Sequence, residues 1–331
     1  MRLSTREEAG GEDRLIDWLR RRLRRQPGGA LIGDDAAVLP GAGPFAVTVD
    51  HQIAGVHFPP DLDPARVARR LLAVNLSDLA AMGATPAYAF LALAAPAGFD
   101  HRRFFTALLA ACRRHELTLA GGDLSRSSTL STSLTLMGTK AEGARWLERS
   151  GARPGHALWL GGTVGESAAG RLVIERGSSN PGSPSLRAAA RRAVRRHLEP
   201  RPQLALGRWL GRQPEGAAMD VSDGLARDLH RLCRASRAGA EIEAGALPLA
   251  DRFAGLCDAI GANPLALALG GGEDYVLLFT LPEPAAPPPE MRARRIGRIT
   301  KGSGVVLVRD GARSDLPALG WDHLTGATSL L

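Results

Sequence analysis

The chain alternates short apolar runs with longer segments of mixed apolar and polar residues, and the spacing of the apolar positions assigns most of them. Gly11 to Arg25 carries Leu15, Ile16, Leu19 and Leu23 along one face with arginines on the other, which predicts an amphipathic helix. Ala46 to Asp50 predicts a short strand ending on an aspartate. Pro64 to Met82 predicts a long helix, with Asp63 as its N-cap and Gly83 as its stop. A strand over Ala87 to Ala94 and a helix over Arg102 to His115 follow. Leu117 to Ala120 predicts a strand running into Gly121-Gly122-Asp123, and Ser131 to Lys140 alternates like a further strand.

Glycine and proline cluster from Ser150 to Gly155, so the chain is read as two domains, 1–148 and 149–331. Beyond the boundary the pattern predicts strands at Ala157 to Leu160, Met219 to Val221, Tyr275 to Leu281 and Val305 to Val308. It predicts helices at Gly165 to Glu175, Leu186 to His197 and Leu225 to Arg237, with loops over Gly177 to Ser185 and Pro282 to Pro289. Alternating strands and helices in two units of comparable size make the fold class α/β or α+β. A strand ending in aspartate recurs at Asp50, Asp123 and Asp220, a weak hint of related halves.

Composition narrows the function. With 44% hydrophobic and 23% charged residues, the 331-residue chain is neither disordered nor membrane-like. The longest apolar stretch, Leu71 to Phe99, is interrupted by Asn75, Asp78 and Pro86, so no membrane span is expected. The N-terminus is charged and lacks the apolar core of a signal peptide. Cys112, Cys233 and Cys257 are few and widely spaced, forming neither a disulfide framework nor a zinc site, so a reducing, cytoplasmic setting is expected. A net charge of +8 invites a nucleic-acid partner. None is expected, because the charge is nearly all arginine on helix faces, only Lys140 and Lys301 are lysines, and no aromatic stacking platform accompanies it.

Candidate chemistry lies in aspartates set beside glycine, small residues and apolar strands. There is no Walker A motif, and the glycines of Gly41 to Ala46 precede a strand rather than opening a helix. In Ile32-Gly33-Asp34-Asp35 two adjacent carboxylates repel unless a cation or donors compensate, although a plain turn fits equally. Val47-Thr48-Val49-Asp50, followed by Gly55-Val56-His57-Phe58, places an aspartate where a strand end meets a ligand, or where a simple turn begins. Asn75 and Asp78 lie three apart on an otherwise apolar helix, where an aspartate is costly without a partner. Leu119-Ala120-Gly121-Gly122-Asp123 reads as a turn whose backbone can approach a ligand closely. Met219-Asp220-Val221-Ser222-Asp223-Gly224 sits at a strand-to-helix turn, where a helix N-terminus can bind anions or Asp223 can act as a cap. Gly270-Gly271-Gly272-Glu273-Asp274 leads straight into an apolar strand. Glycine-rich backbone suits phosphates while bare aspartates repel them. The two agree if Mg²⁺ ions sit between, which points to phosphoryl transfer.

Read in order, these motifs resemble the thiamine-monophosphate kinase family of the aminoimidazole ribonucleotide synthetase superfamily. The match runs from Gly11-Glu12 to Gly320-Trp321-Asp322-His323, and Asn75 to Ala84 and Gly271 to Tyr275 resemble that kinase specifically. The resemblance implies ATP-dependent conversion of thiamine monophosphate to thiamine diphosphate by a homodimer. Each subunit would have two α/β domains of the aminoimidazole ribonucleotide synthetase-like fold. The N-terminal domain would bind ATP and Mg²⁺ and dimerise, its mixed sheet joining a barrel across the dimer, with ATP in a cleft between subunit elements. By the same resemblance, Asp34, Thr48, Asp50, Asp78, Asp123, Asp220 and Asp223 would hold several Mg²⁺ ions. Gly122, Asp123, Arg149 and Ser222 would contact ATP, and His57, Glu273 and Trp321 would hold thiamine phosphate. No general acid or base is implied.

The chain departs from the family pattern at Leu124, where a threonine is usual, at His156 in place of an aspartate, at Val276, and at His323-Leu324. Two other readings stand beside the kinase: another ATP-using member of the superfamily, and a non-catalytic nucleotide- or metal-binding regulator.

Overall fold

Alternating burial organises the strands, and one-sided apolar stripes organise the helices. The computed structural model describes residues 37–39, 43–177, 182–322 and 327–329. The helix expected over Gly11 to Arg25 and the candidate ligand Asp34 lie outside them. The helices in chain order are α1 (Pro64–Ala81), α2 (His101–Arg114), α3 (Glu166–Glu175), α4 (Pro184–Leu198), α5 (Leu204–Gly211), α6 (Leu225–Ser236), α7 (Phe253–Ala259) and α8 (Pro264–Gly270). Two compact units form. Among the described residues, one holds the chain from Ala37 to Trp146 together with Leu198–Arg212, and the other holds Leu147–His197 and the chain from Gln213 onward.

The first unit is built on a five-stranded mixed sheet of β1 (Ala37–Leu39), β2 (Phe45–Ile53), β3 (Thr85–Ala95), β4 (Thr118–Arg126) and β5 (Ser131–Thr139). The order is β1-β2-β5-β3-β4, with only β3 and β4 parallel. Its ends, β1 and β4, are not joined, so the sheet is open within this chain. One face buries Ala89, Leu91, Leu93, Leu134 and Leu136 under α1, each no more than 3% exposed. The other face leaves Val49, Tyr88 and Phe90 at 62%, 45% and 40% exposure. Helix α1 starts where expected: the Asp63 carboxylate accepts from Ala65 N and Arg66 N, and Pro64 needs no donor at the first turn. It packs against the sheet on one side and α2 and α5 on the others, which explains why polar Arg70, Asn75 and Ser77 are buried alongside its leucines. Segment 198–212 thus rejoins the first unit across a long sequence gap, because α5 supplies part of the cover of α1.

Two strands differ from the sequence expectation. β2 continues three residues past Asp50, and β4 runs through the glycines to Arg126. Gly121-Gly122-Asp123 is therefore mid-strand. A Cβ at Gly122 would lie 2.0 Å from Leu91 O, so glycine lets β4 close onto β3 there. Only Asp220 ends its strand, and the recurrence that hinted at related halves dissolves.

The second unit has a seven-stranded sheet of β6 (Ala157–Leu160), β7 (Ala218–Asp220), β8 (Gly239–Glu243), β9 (Leu277–Leu281), β10 (Arg294–Thr300), β11 (Val305–Arg309) and β12 (Ala312–Asp315). Its order is β12-β11-β8-β10-β6-β9-β7. A separate ribbon pairs β13 (Gly320–Asp322) with β14 (Ala327–Ser329). Leu225, Leu229, Leu232 and Cys233, one stripe of α6, pack with Leu158, Leu278 and Ile242 of the sheet in one core. Ala169, Val173, Ala189, Ala193, Phe253 and Leu256 make a smaller one among α3, α4 and α7. The strand expected from Tyr275 begins at Leu277, since Glu273 and Tyr275 both take positive φ. All three cysteines are buried and free. Among the described residues no single helix is long and apolar enough to cross a membrane.

The α1 cap yields a direct expectation. Asp63→Ala removes the acceptor for two backbone donors and should lower stability by about 1 kcal/mol, seen as a reduced midpoint in urea unfolding with an unchanged slope.

Candidate functional site

In the first unit, two cross-links tie α1 to β2. Thr48 Oγ1 donates to Asp78 Oδ2 at 2.5 Å, and Asp50 N donates to Asn75 Oδ1 at 3.0 Å. Thr48 and Asp50 are two apart on one face of the strand, and Asn75 and Asp78 are one turn apart on the helix, so the two periods match. Asn75 is fully buried, and its Nδ2 donates to Leu71 O at 2.8 Å, so its task is to hold the helix in register. Arg70, also fully buried, donates to Gln52 Oε1 at 3.0 Å and adds a third link. His57 sits in the turn after β2 and accepts from Ile53 N through Nδ1 at 3.0 Å, which leaves the proton of the neutral ring on Nε2.

Gly122 and Asp123 stand apart from this group. They lie on β4, three strand spacings from β2, or roughly 14 Å. Asp123 aligns with Ala92, Ser133 and His51, the row on the helix-free face, whereas Thr48 is buried on the helix side. Within one chain, Asp123 therefore cannot share a single ion with Asp78, since ligands to Mg²⁺ stand about 2 Å from it. Leu124, the departure beside it, is 58% exposed.

In the second unit the turn from Asp220 to Gly224 is the hub. Ser222 N, Asp223 N and Gly224 N all donate to Asp228 Oδ2, at 3.1, 3.1 and 3.3 Å. These are the donors expected to meet an anion at the helix N-terminus, and an internal carboxylate occupies them instead. The Ser222 N–H is thus already taken, and its hydroxyl is the donor that a ligand there would meet. The carbonyls of the same turn collect distant segments: Val221 O accepts from Tyr275 N at 2.8 Å, Ser222 O from Glu273 N at 2.6 Å, and Asp223 O from Trp321 N at 2.9 Å. Gly272, at φ +71°, leans against this turn, where a Cβ would come within 2.9 Å of Ser222 O. Asp220, Ser222, Asp223, Glu273 and Trp321 are thus brought together. Arg149 joins them from the short 3-10 turn Arg149–Gly151, which packs on α6 and is held by Ser236 Oγ donating to Arg149 O at 2.6 Å.

Charge in this hub is partly balanced by the chain itself. Arg231 Nη1 bonds both Asp223 Oδ2 and Asp228 Oδ1. Burial raises the Asp228 carboxyl, and the charges of Arg231 and Arg149 pull it back. Neither Asp228 nor Arg231 stood out as a site residue in the sequence. The available signal was Asp228's position on the apolar stripe of α6, between Leu225 and Leu229, where a carboxylate needs a buried partner. His156, another departure from the family pattern, is buried with Nδ1 3.5 Å from Thr280 Oγ1, and burial lowers its pKa, so it packs the interior.

The donors available to a cation are hard oxygens. Among the described residues no group of three or more histidine, cysteine, aspartate or glutamate side chains is gathered for a metal. Mg²⁺ is ordinarily held through one or two carboxylates, with water and substrate phosphate completing its shell, so small sets such as Asp78 with the Thr48 hydroxyl suit it. At Asp223 an ion would have to compete with Arg231.

Two open mixed sheets with their helices, with candidate aspartates on α1, β2 and β4 of the first unit and in the β7–α6 turn of the second, define the class. Residues 33–139 and 153–310 match the N-terminal and C-terminal domain models of AIR synthase related proteins. Within that class the chain is 39% identical over 304 residues to the thiamine-monophosphate kinase of Salmonella typhimurium, covering 88% of this chain and 91% of that one. It is 33% identical to the Aquifex aeolicus kinase over 319 residues, covering 95% and 98%. The solved structure of AaThiL complexed with AMPPCP and TMP superposes with a TM-score of 0.82 at 32% identity, covering 98% of this chain and 99% of that one. The chain belongs to the thiamine-monophosphate kinase family and is a phosphotransferase of that type.

A pH expectation follows from Asp274, next to Glu273. It is fully buried, and its carboxylate accepts from Gly165 N and Ser167 N at the start of α3. Burial pushes it up to about 7 from an ordinary 3.8. Between roughly pH 4 and 7 the native state keeps a proton that the unfolded chain has lost, so this contribution to stability is complete at low pH and is lost as pH rises through that window. Urea unfolding across this range should show stability falling with pH, and Asp274→Asn should make the decline shallower.

Proposed function

We propose that this enzyme transfers the γ-phosphoryl group of ATP to thiamine monophosphate, giving ADP and thiamine diphosphate. The observation that carries this reading is the Asp220–Gly224 turn. There, aspartates suited to the phosphate side meet Glu273 and Trp321, suited to the acceptor side, through backbone hydrogen bonds. The relative that holds AMPPCP and TMP supports it, since that pair is a nucleotide analogue with the proposed acceptor.

In this reading, Asp34, Thr48, Asp50, Asp78, Asp123, Asp220 and Asp223 hold several Mg²⁺ ions, and Gly122, Asp123, Arg149 and Ser222 contact ATP. His57 and Glu273 meet the acceptor, and Trp321 offers an indole face to a thiamine ring. The first domain, read as 1–148, serves ATP and Mg²⁺ binding and dimerisation, and the α/β domain at 149–331 completes the enzyme. The acceptor oxygen belongs to a phosphate already ionised at neutral pH, so no side chain has to act as a general base. The difficulty is repulsion between two anions, and bound Mg²⁺ would supply its cancellation. The chain's own part is to orient: Thr48 fixes one Asp78 oxygen, Asn75 fixes the Asp50 backbone, and Asp228 fixes the 222–224 turn. Transfer is direct and in line, with no phosphoenzyme.

We read the enzyme as a homodimer in which the helix-free sheet face carrying Val49, Tyr88 and Phe90 meets a second copy, the two open sheets forming one barrel. Three unpaired buried thiols favour a cytoplasmic location.

A coupled ADP assay with thiamine, thiamine monophosphate and aminoimidazole precursors tests the assignment. Turnover is expected with thiamine monophosphate and Mg²⁺ and should stop on chelation. ADP release with free thiamine alone would overturn it. Asp78→Asn should abolish turnover while the thermal unfolding midpoint stays close to that of the parent, because an amide oxygen can still accept from Thr48.

A further inference from the structure

His197 is a buried titratable group that the proposed chemistry does not use. It lies near the end of α4, and its side chain is 4% exposed. Its face of the helix also carries Ala189, Ala190 and Ala193, all packed inward, so a histidine here is a polar group in an apolar stripe. Its Nδ1 lies 3.2 Å from Glu273 Oε2 and 3.3 Å from the fully buried Ser167 Oγ. A nitrogen lone pair facing a carboxylate oxygen at that distance would be repelled, so Nδ1 carries the proton and points it at Glu273.

The backbone around Glu273 is arranged to present that carboxylate. Glu273 and Tyr275 take φ of +57° and +49°, a left-handed conformation that non-glycine residues rarely adopt. The turn is held there from several directions. Glu273 N donates to Ser222 O, Tyr275 N to Val221 O, and Arg196 Nη2, from the residue before His197, to Asp274 O at 2.6 Å. The Asp274 carboxylate is pinned by Gly165 N and Ser167 N. These contacts fix the backbone, and the Glu273 side chain is 25% exposed. The imidazole meets it on its buried side.

We propose that His197 is a positioning residue for the acceptor site: its Nδ1–H holds the Glu273 carboxylate in the rotamer that meets the acceptor substrate. This rests on the reading of Glu273 as an acceptor contact. It extends the acceptor site to α4, whose end carries both His197 for the Glu273 side chain and Arg196 for the turn's backbone.

The test is steady-state kinetics on the full-length enzyme, with ATP and thiamine monophosphate varied separately and unfolding midpoints recorded for each variant. His197→Leu should raise the KM for thiamine monophosphate about tenfold, the scale of one charge-assisted hydrogen bond, while the KM for ATP changes less than about twofold. His197→Asn, whose amide nitrogen stands near the Nδ1 position, should recover most of the loss. His197→Gln, whose amide reaches the Nε2 position, should not. This pair decides the matter even if His197→Leu fails to fold. In a Glu273→Ala background, which leaves no acceptor for Nδ1–H, removing His197 should add little. Equal impairment of the Asn and Gln variants, a loss confined to kcat or shared by ATP, or independent multiplying effects of the His197 and Glu273 changes would each overturn the proposal. If Glu273→Gln leaves the acceptor KM unchanged, the reading of Glu273 itself fails and the proposal with it. That outcome differs from one in which Glu273 matters and His197 does not.

Discussion

The Asp228 carboxylate, with no exposure to solvent, is the constraint on which the second unit's site depends. A carboxylate in an apolar core is costly unless it is satisfied, and this one is satisfied by three consecutive backbone N–H groups and Arg231. Those bonds bend the chain from β7 into α6 as a tight turn. Bent this way, the turn points its carbonyls outward, and the N–H groups of Glu273, Tyr275 and Trp321 close onto them. One buried charge thus sets the positions of residues drawn from three separated motifs. The same bonds use up the helix N-terminal donors, so a phosphate placed at this turn would not find these backbone N–H groups open.

The first unit follows a different logic with a similar outcome. Two of its candidate aspartates meet neutral groups, Thr48 at the Asp78 carboxylate and Asn75 at the Asp50 backbone. Asp223, by contrast, shares its charge with Arg231. A cation at Asp223 would first have to loosen that ion pair.

Much of the fold could be read from the chain. Asp63 with Pro64 announced the start of α1, and alternation announced β3 and β5, because caps and pleats are local devices that depend on a few neighbouring residues. The glycines misled. Gly121 and Gly122 looked like a turn, but glycine is also what lets a neighbouring strand come close, and only the position of Leu91 tells the two apart. Asp50 and Asp123 looked like strand ends for the same reason, since pairing partners decide where a strand stops. The return of Leu198–Arg212 to the first unit could not be read from spacing, because it answers the need of α1 for cover on a face that only the tertiary structure creates.

Residue identity alone determined that aspartates, glycines and a Gly-Gly-Glu-Asp turn recur in an order matching one family, because motif order survives whatever the contacts. Opposite roles for similar residues came only with tertiary structure. Asp220, Asp223 and Asp228 are all aspartates within nine positions, yet Asp228 is consumed inside the fold, Asp223 is paired, and Asp220 ends a strand. His57 and His197 likewise differ in which atom their Nδ1 meets, a backbone N–H for one and a carboxylate for the other. A side chain's charge state and availability depend on what packs around it, and those neighbours come from parts of the chain that sequence spacing does not connect.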